Sequence, residues 1–338
     1  MKVAINGFGR IGRLVFRIME ESDDFEVVAI NDLTNAKQLA HLLKYDSSQG
    51  RYRVDEITYM DDYLIVGKRE IRVYAESDPS SLPWGKLGID MVFECSGKFV
   101  TEEGANLHIK AGAKRVIVSA PCKGNVKTVV YGVNEDTLTG DEKVISAASC
   151  TTNCLAPVLK VLDDNFTINR GFMTTIHAYT NDQTVLDVAH RKDIEARRGR
   201  AASVNIVPTS TGAAKAIGLV LPSLEGKLKG ASMRVPVSDG SCVDLVLELS
   251  RPVDVSTINN QFINAKSEVL DATYDPIVSS DVIGSSYGAV VDLLLTDVLD
   301  TPLGQLVKVV AWYDNEMGYS HQMVRTALYF ASLEHEIL

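Results

Sequence analysis

Apolar and polar positions follow two different patterns along this chain of 338 residues. In residues 1–118, short apolar runs alternate with stretches of helical period, as a βαβ arrangement requires. After residue 170, longer strand-like runs follow one another with little helix between them, which is typical of a largely antiparallel sheet. The pattern predicts an α/β domain over residues 1–149 and an α+β domain over residues 150–316.

The same pattern predicts individual elements. Helices are expected from the end of the glycine motif at Gly12 through residue 20, and over residues 35–43, 101–111, 153–162, 256–267 and 318–333. Strands are expected over residues 25–31, 52–54, 63–66, 71–74, 91–94, 116–119, 171–176, 228–236, 241–249, 289–294 and 307–313. Residues 180–207 form a long polar stretch with little periodicity, and a stretch of this kind in a compact domain is usually functional or lies at an interface.

A glycine-rich turn follows the first apolar run, with glycines at positions 7, 9 and 12. In a nucleotide-binding βαβ unit, Gly7 permits the tight turn, Gly9 lets the backbone approach a pyrophosphate, and Gly12 lets helix and strand pack closely. Asp32 follows the second strand, where a carboxylate takes a ribose hydroxyl and repels a 2′-phosphate. The order of these features predicts a Rossmann domain that binds NAD rather than NADP.

A cysteine and a histidine each stand at the end of a predicted strand. Cys150 lies where a strand pattern gives way to a helix pattern. There it would face unpaired N–H groups and the positive end of the helix dipole, which favour the reactive thiolate. His177 ends another apolar run, and such a pair is the minimum for nucleophilic catalysis. Because free cysteines are usually buried, an inert thiol and an unrelated core histidine remain the alternative.

Several polar residues stand where an open α/β sheet or a helix start binds anionic ligands. Ser96 and Ser119 follow strands of the first domain and are expected near the cofactor, although ordinary turn serines have the same pattern. Arginines at 197, 198 and 200 can bind phosphate in a bidentate manner, or form a solvated or subunit-facing charge run. Hydroxyls and backbone N–H groups at helix starts suit anions, and these are provided by Ser149, Thr151, Thr211 and Gly212.

Composition narrows the class of protein. The net charge of −10 argues against a nucleic-acid backbone as the main partner. No apolar run reaches the roughly 18 residues that a membrane span needs. The five cysteines are an odd number without a paired framework or zinc spacing, so we expect a cytoplasmic protein and no metal site.

The chain resembles the NAD-dependent, phosphorylating glyceraldehyde-3-phosphate dehydrogenases, bacterial members in particular, over nearly its whole length. The matching segments are INGFGRIGR (5–13), SAP (119–121), SCTTNCLAP (149–157), HAYTNDQ (177–183), PTSTGAAKA (208–216), MRVP (233–236) and WYDNEMGYSH (312–321). The resemblance implies glycolytic conversion of D-glyceraldehyde 3-phosphate to 1,3-bisphosphoglycerate through a cysteine hemithioacetal and thioester. It also implies a homotetramer and a first domain completed by a C-terminal helix over residues 317–338.

The resemblance assigns roles to individual residues. Cys150 would be the nucleophile and His177 the base. Thr180 and Arg234 would bind the substrate phosphate, and Asn315 would contact the nicotinamide carboxamide, although Asn is equally suited to cap a helix. The attacking phosphate would be bound by Ser149, Thr151, Thr211, Gly212 and either Arg198 or, as second choice, Arg200. The cofactor would be bound by Gly7, Gly9, Arg10, Ile11, Asp32, Ser96 and Ser119.

Two departures from the family and three rival functions remain open. Ser77 replaces an arginine common in the adenine region, and Ala189 replaces a proline common in the polar stretch. The rivals are an erythrose-4-phosphate dehydrogenase, a non-catalytic binding protein on the same scaffold, and a thiol hydrolase. The segments at 179–183 and 210–215 disfavour the first, the Cys150/His177 pair disfavours the second, and the glycine motif is unexplained by the third.

Overall fold

The structure is a computed structural model that describes residues 1–191 and 193–333, and these form two compact units. The first unit contains Met1–Tyr131, Glu135–Ser149 and the described residues from Met323 onward. The second unit contains Gly132–Asn134 and Cys150–Gln322. The predicted C-terminal helix begins at Met317 and ends at Ser332, and residues 334–338 of that prediction lie outside the described part. The domain bounds drawn from the sequence stay a prediction.

The first unit is built on a nine-stranded sheet with the order β10-β11-β9-β8-β1-β2-β7-β6-β5. Its strands, with β3 and β4 as a separate pair, are β1 (Lys2–Asn6), β2 (Glu26–Asn31), β3 (Tyr45–Asp46), β4 (Gly50–Arg51), β5 (Ile57–Met60), β6 (Tyr63–Val66), β7 (Arg69–Tyr74), β8 (Met91–Glu94), β9 (Arg115–Val118), β10 (Lys127–Thr128) and β11 (Val144–Ser146). Its helices are α1 (Arg10–Met19), α2 (Ala36–Lys44), α3 (Trp84–Leu87) and α4 (Glu102–Lys110).

The order of the strands places a crevice at the carboxyl end of β1. This strand pairs in parallel with β2 on one side and with β8 on the other, so the chain reverses direction across the sheet here. Every residue of β8 and β9 is buried, as expected for parallel strands covered on both faces. Open sheets of this kind bind their ligand at such a switch point. The predicted Rossmann fold is confirmed.

The prediction of a strand at residues 52–54 is wrong. Arg53 has a φ of 39° and belongs to a turn, while the Arg17 guanidinium on α1 lies 4.9 Å from the centre of the Tyr52 ring. Packing against α1 therefore takes this segment out of the sheet. The strand β5 follows instead. Its first residue, an isoleucine, is buried and the other three are exposed, so it has no clear apolar pattern.

The second unit contains an eight-stranded sheet with the order β13-β14-β12-β15-β19-β17-β16, and β18 pairs with β19. Its strands are β12 (Ile168–Ala178), β13 (Val207–Ser210), β14 (Leu228–Val235), β15 (Ser241–Leu249), β16 (Leu270–Thr273), β17 (Ala289–Asp292), β18 (Asp297–Thr301) and β19 (Gly304–Tyr313). Its helices are α5 (Cys150–Phe166), α6 (Ala213–Val220), α7 (Val255–Asn264) and the start of α8 (Met317–Ser332). Only the β12–β14 and β16–β17 pairings are parallel, so the sheet is largely antiparallel as predicted.

The polar stretch between β12 and β13 has little regular structure. Its described residues contain one 3-10 turn, Ile194–Ala196, and Lys192 lies outside the described residues. Within residues 1–191 and 193–333, we find no helix with the length and apolar character that crossing a bilayer demands.

Candidate active site and cofactor pocket

Glycine is favoured at each of the three positions of the first turn for a different steric reason. Gly7 has a φ of 89°, and a Cβ there would lie 2.5 Å from Ser96 Cα. A Cβ on Gly12 would lie 2.1 Å from the Gly7 carbonyl oxygen, so helix α1 reaches the turn only without a side chain. A Cβ on Gly9 would meet no atom within 4 Å. The second glycine therefore faces open space, which fits a pyrophosphate approaching the backbone.

The Asp32 side chain is fixed by a hydrogen bond from the backbone of the glycine-rich turn. Its Oδ2 accepts a hydrogen bond of 2.7 Å from the Phe8 backbone N–H, which leaves Oδ1 for a ribose hydroxyl. A cavity of about 290 Å³ opens beside it, and its lining includes the predicted residues Gly7, Gly9, Asp32 and Ser96. Arg10, Ile11 and Ser119 lie outside that lining. Arg10 is ion-paired with Asp46, and Ser119 lies at the end of β9.

A buried polar network supports this cavity. Glu94 accepts hydrogen bonds from the Asn6 amide and, at 2.8 Å, from the Ser96 backbone N–H. Its other buried neighbour is His108, whose Nε2 lies 2.9 Å from Glu94 Oε2. Trp84 Nε1 donates to His108 Nδ1 at 3.0 Å, so that nitrogen is an acceptor and Nε2 carries the proton toward Glu94. This network was not predicted from the sequence.

Cys150 is the first residue of α5, as predicted. Its Sγ lies 3.4 Å from His177 Nε2, and the residue two positions before it, Ala148, has a φ of 58° that a side chain rarely adopts. Burial raises the pKa of the Cys150 thiol, while the charge of Arg234 and hydrogen bonds from Thr151 act to lower it. Desolvation therefore acts against the thiolate that the helix start is expected to favour, and it is the largest of these influences.

His177 is buried at the end of β12. Its Nδ1 lies 2.7 Å from the Ala178 carbonyl oxygen and 2.8 Å from Arg234 Nη1. A proton on Nδ1 would be donated to the Ala178 oxygen, whereas an unprotonated Nδ1 accepts from Arg234, so the tautomer decides which of the two bonds forms. Burial, followed by the charge of Arg234, lowers its pKa to about 3. The expected pKa near neutrality is corrected accordingly, and burial acts against the charged form of both the thiol and the imidazole.

Arg234 lies directly beside His177 because β12 and β14 run parallel with these two residues in register. Its Nη1 donates to the Ala178 carbonyl oxygen at 2.9 Å. Its Nε is buried and has no hydrogen-bond partner among the described residues. The structure thus brings a thiol, an imidazole and a guanidinium together, as the sequence predicted for Cys150, His177 and Arg234.

The two candidate loop arginines differ clearly. Arg198 is nearly buried, bonds to Asp182 and donates from Nε to Thr209 Oγ1 at 3.2 Å. Its charge contributes to lowering the pKa values of His177 and Arg234. The Arg200 side chain is 63% exposed and pairs with Asp187. The geometry favours Arg198, the first choice from the sequence.

The predicted hydroxyl donors are partly engaged within the protein. Thr151 Oγ1 lies 2.9 Å from the Tyr313 hydroxyl, which bridges equally to Thr175. Thr211 Oγ1 accepts from the Ala213 backbone N–H at 3.2 Å at the start of α6. The remaining predicted phosphate contacts are Ser149, which directly precedes Cys150, Thr180, just beyond β12, and Gly212, where an added Cβ would meet no atom.

Asn315 is 5% exposed and lies just after β19. Its Oδ1 accepts a hydrogen bond of 2.6 Å from Ser241 Oγ, and its Nδ2 has no hydrogen-bond partner among the described residues. The helix cap that was the alternative role is instead provided by Asp314, whose Oδ1 accepts from the backbone N–H groups of Glu316 and Met317. An amide with an unused donor is suited to a ligand.

Cys154 differs from Cys150 although it lies on the same helix. It is buried, and its Sγ lies 3.9 Å from the Ala311 carbonyl oxygen. Burial raises its pKa well above the usual value, which disfavours the reactive thiolate. No group of three or more potential metal ligands occurs within the described ranges.

Comparisons with known proteins identify the family. The NAD binding domain of glyceraldehyde 3-phosphate dehydrogenase matches residues 1–102, and the C-terminal domain of the same enzyme matches residues 149–315. Glyceraldehyde-3-phosphate dehydrogenases of Clostridium pasteurianum and Clostridium acetobutylicum are each 56% identical to this chain over 332 residues, covering 98% of it and 99% of the relative. The enzyme of Streptococcus pyogenes is 52% identical over 334 residues, with the same coverage.

These matches span both the glycine turn and the cysteine–histidine pair. They confirm NAD as the cofactor and the chain as an oxidoreductase that acts on an aldehyde group. The glycine turn and the pocket beside Asp32 fit that cofactor sterically. The chain belongs to the glyceraldehyde-3-phosphate dehydrogenase family.

Proposed function

We propose that this protein converts D-glyceraldehyde 3-phosphate and inorganic phosphate to 1,3-bisphosphoglycerate in glycolysis, with reduction of NAD. The observation that carries the proposal is the cluster of Cys150, His177 and Arg234. Cys150 Sγ lies 3.4 Å from His177 Nε2, and Arg234 Nη1 lies 2.8 Å from His177 Nδ1. A nucleophile, a base and a phosphate-binding cation thus occupy neighbouring positions.

Substrate binding prepares the base. When the substrate phosphate attracts the Arg234 guanidinium, His177 Nδ1 no longer needs to accept from it and can donate to the Ala178 carbonyl oxygen. The Nε2 lone pair then faces Cys150. A phosphate also offsets the charge that helps lower the pKa of His177. Arg234 therefore sets the tautomer of the base as well as holding the substrate phosphate, which Thr180 helps to bind.

The first half of the reaction forms and oxidises a hemithioacetal. Cys150 Sγ adds to the aldehyde carbon as His177 Nε2 takes the thiol proton and passes it to the carbonyl oxygen. Bound NAD supplies the hydride acceptor for the aldehyde-derived C–H bond. As that bond breaks, His177 takes the hydroxyl proton back, and Cys150 is left as a thioester.

The second half transfers the acyl group to phosphate. An oxygen of inorganic phosphate attacks the thioester carbon, the C–S bond breaks, and the departing sulfur takes the proton from His177. Arg198, together with Ser149, Thr151 and the Thr211–Gly212 turn, is assigned to this attacking anion. The assignment is supported by the nearly buried guanidinium of Arg198, in contrast to the exposed Arg200.

Assembly as a cytoplasmic homotetramer completes the proposal. Residues 180–207 expose several large apolar side chains, including Leu186 at 72% and Ile206 at 68%. A cavity of about 820 Å³ is also lined by this segment. A second copy of the chain is the expected cover for such a surface. The five cysteines are all free thiols, as suits a reducing compartment.

A stopped-flow assay of NADH formation tests the reaction. With the triose phosphate and NAD but without phosphate, we expect a burst of one NADH per Cys150 followed by near-arrest, and steady turnover once phosphate is added. Cys150→Ser should abolish the burst, by about a thousandfold or more, whereas Cys154→Ser should retain it. Steady NADH formation without phosphate would indicate hydrolysis and overturn the phosphorylating step.

A further inference from the structure

Ser241 occupies a distinctive place in the second sheet. It is the first residue of β15, which lies between β12 and β19. On one side β12 ends with His177 and Ala178, and on the other side β19 leads directly into Asn315. Ser241 is 1% exposed. Its side chain therefore stands between the segment that carries the base and the segment that carries the unpaired amide.

The hydrogen bonds of Ser241 fix the orientation of that amide. The Ala178 backbone N–H donates to Ser241 Oγ at 3.0 Å, so the serine hydroxyl is an acceptor on that side. The hydroxyl proton is then available for one donation, and Asn315 Oδ1 lies 2.6 Å away. Because a hydroxyl has one proton, this arrangement selects the oxygen end of the amide. Asn315 Nδ2 consequently points away from Ser241.

We propose that Ser241 is a positioning residue that holds the Asn315 amide with Nδ2 ready to donate to the nicotinamide carboxamide oxygen. This rests on the proposed function, in which Asn315 contacts the nicotinamide. Without the hydroxyl, the amide can rotate half a turn and present its oxygen instead. The same hydroxyl bonds the residue after His177, so one side chain sets the position of the cofactor contact relative to the base.

Ser232 provides a matched control in the same sheet. It lies in β14 and is 2% exposed, and its Oγ has no hydrogen-bond partner among the described residues. Ser232→Ala therefore removes a buried hydroxyl without removing a hydrogen bond. Any effect of Ser241→Ala beyond that of Ser232→Ala belongs to the two bonds that Ser241 makes.

Calorimetric binding of NAD and of ADP-ribose, which lacks the nicotinamide, separates positioning from general damage. In Ser241→Ala we expect the Kd of NAD to rise about 2- to 13-fold, which corresponds to the loss of one hydrogen bond, with little change for ADP-ribose. Ser232→Ala should change neither, and Ser241→Thr, which keeps the hydroxyl, should restore NAD binding. An equal loss for both ligands, or none for NAD, would overturn the proposal.

The double variant Ser241→Ala/Asn315→Ala tests the route of the effect. Ser241→Ala should add no further loss of NAD affinity once Asn315 is removed, whereas additive losses would show that Ser241 acts elsewhere. If Ser241→Ala yields no folded protein, Ser241→Cys, whose thiol is a weak hydrogen-bond donor, takes its place in both measurements. Asn315→Ala separately tests the contact with the nicotinamide, and an unchanged NAD advantage in that variant would overturn the contact on which the role of Ser241 rests. Both measurements are independent of turnover, so loss of the proposed activity is a separate outcome.

Discussion

The cofactor pocket and the catalytic cluster differ in how far their polar atoms are hydrogen-bonded within the protein. In the pocket, Asn31 donates to Asn6 at 2.7 Å, Asn6 donates to Glu94, and Asp32 accepts from the Phe8 backbone. In the catalytic cluster, Asn315 Nδ2 and Arg234 Nε have no hydrogen-bond partner in the described chain. Protein contacts hold the polar side chains of the first site and leave Asp32 Oδ1 for the cofactor, whereas two donors of the second site await ligands.

This difference has an energetic consequence. A buried polar group without a partner costs about 1–3 kcal/mol, and in the catalytic cluster a bound ligand can supply the missing partner. The catalytic cluster should therefore gain stability on binding substrate and cofactor, while the pocket is preformed. Substitutions in the cluster should mainly change chemistry and substrate choice, and substitutions in the pocket should mainly change cofactor affinity.

The largest effect that distinguishes the two regions is expected at Arg234. Arg234→Ala should reduce kcat/KM for D-glyceraldehyde 3-phosphate about 10- to 150-fold, the usual contribution of a charged hydrogen bond. Unphosphorylated glyceraldehyde should be affected far less, because it has no phosphate for the guanidinium to bind. Steady-state kinetics with both aldehydes provides the comparison.

Arg170 supplies the control for this prediction. It lies on β12 like His177, but its side chain is 78% exposed and pairs with Glu248. Arg170→Ala should leave the ratio of the two kcat/KM values unchanged. If Arg234→Ala weakened both aldehydes equally, the guanidinium would act on the base alone and its assignment to the substrate phosphate would be wrong.

The residues that carry the chemistry of each region could be predicted from the sequence, whereas the contacts that support them could not. The glycine motif, Asp32, Cys150 and His177 stand at ends of strongly patterned elements, and their positions follow from local order. The network from Trp84 through His108 to Glu94 could not be read from the sequence, because its members are 10 to 24 positions apart and have the pattern of ordinary core residues. Ser241 is similar, since its partners are 63 and 74 positions away.

The ionisation of the catalytic pair was also beyond the sequence. A helix start and a histidine of ordinary basicity favour a thiolate, and that reasoning is sound for an exposed site. In the folded unit, desolvation is the largest influence on both groups, raising the pKa of Cys150 and lowering that of His177. Burial depends on long-range packing, which local patterns do not contain.

A smaller effect, confined to the pocket, is expected at Asp32. Asp32→Ala removes both the ribose acceptor and the 2.7 Å bond to Phe8 N, and should lower kcat/KM with NAD roughly tenfold. Asp32→Asn keeps an acceptor for Phe8 but removes the charge that repels a 2′-phosphate, so it should improve NADP relative to NAD with a smaller loss for NAD. A ratio of NAD to NADP that stays constant in both variants would show that another residue decides cofactor choice.

An effect on stability rather than on kinetics is expected at Asp239, a buried acid beside the catalytic cluster. Burial, together with the charges of Asp314 and Glu316, raises its pKa to about 9, whereas an aspartate in the unfolded chain titrates near 3.8. Between these values the folded protein binds one proton more than the unfolded chain, so stability should fall as the pH rises from about 4 to about 9. The group shares its proton with neighbours, and we expect a slope of no more than about 1 kcal/mol per pH unit.

Asp239→Asn imitates the protonated acid and should flatten this slope, becoming more stable than the parent protein at pH 8 but not at pH 5. Urea midpoints at fixed protein concentration measure this, with the exposed Asp23→Asn as the control for net charge. Equal slopes in the parent protein and Asp239→Asn would mean that Asp239 is already ionised in the folded protein, and that this end of the catalytic unit carries its negative charge at neutral pH.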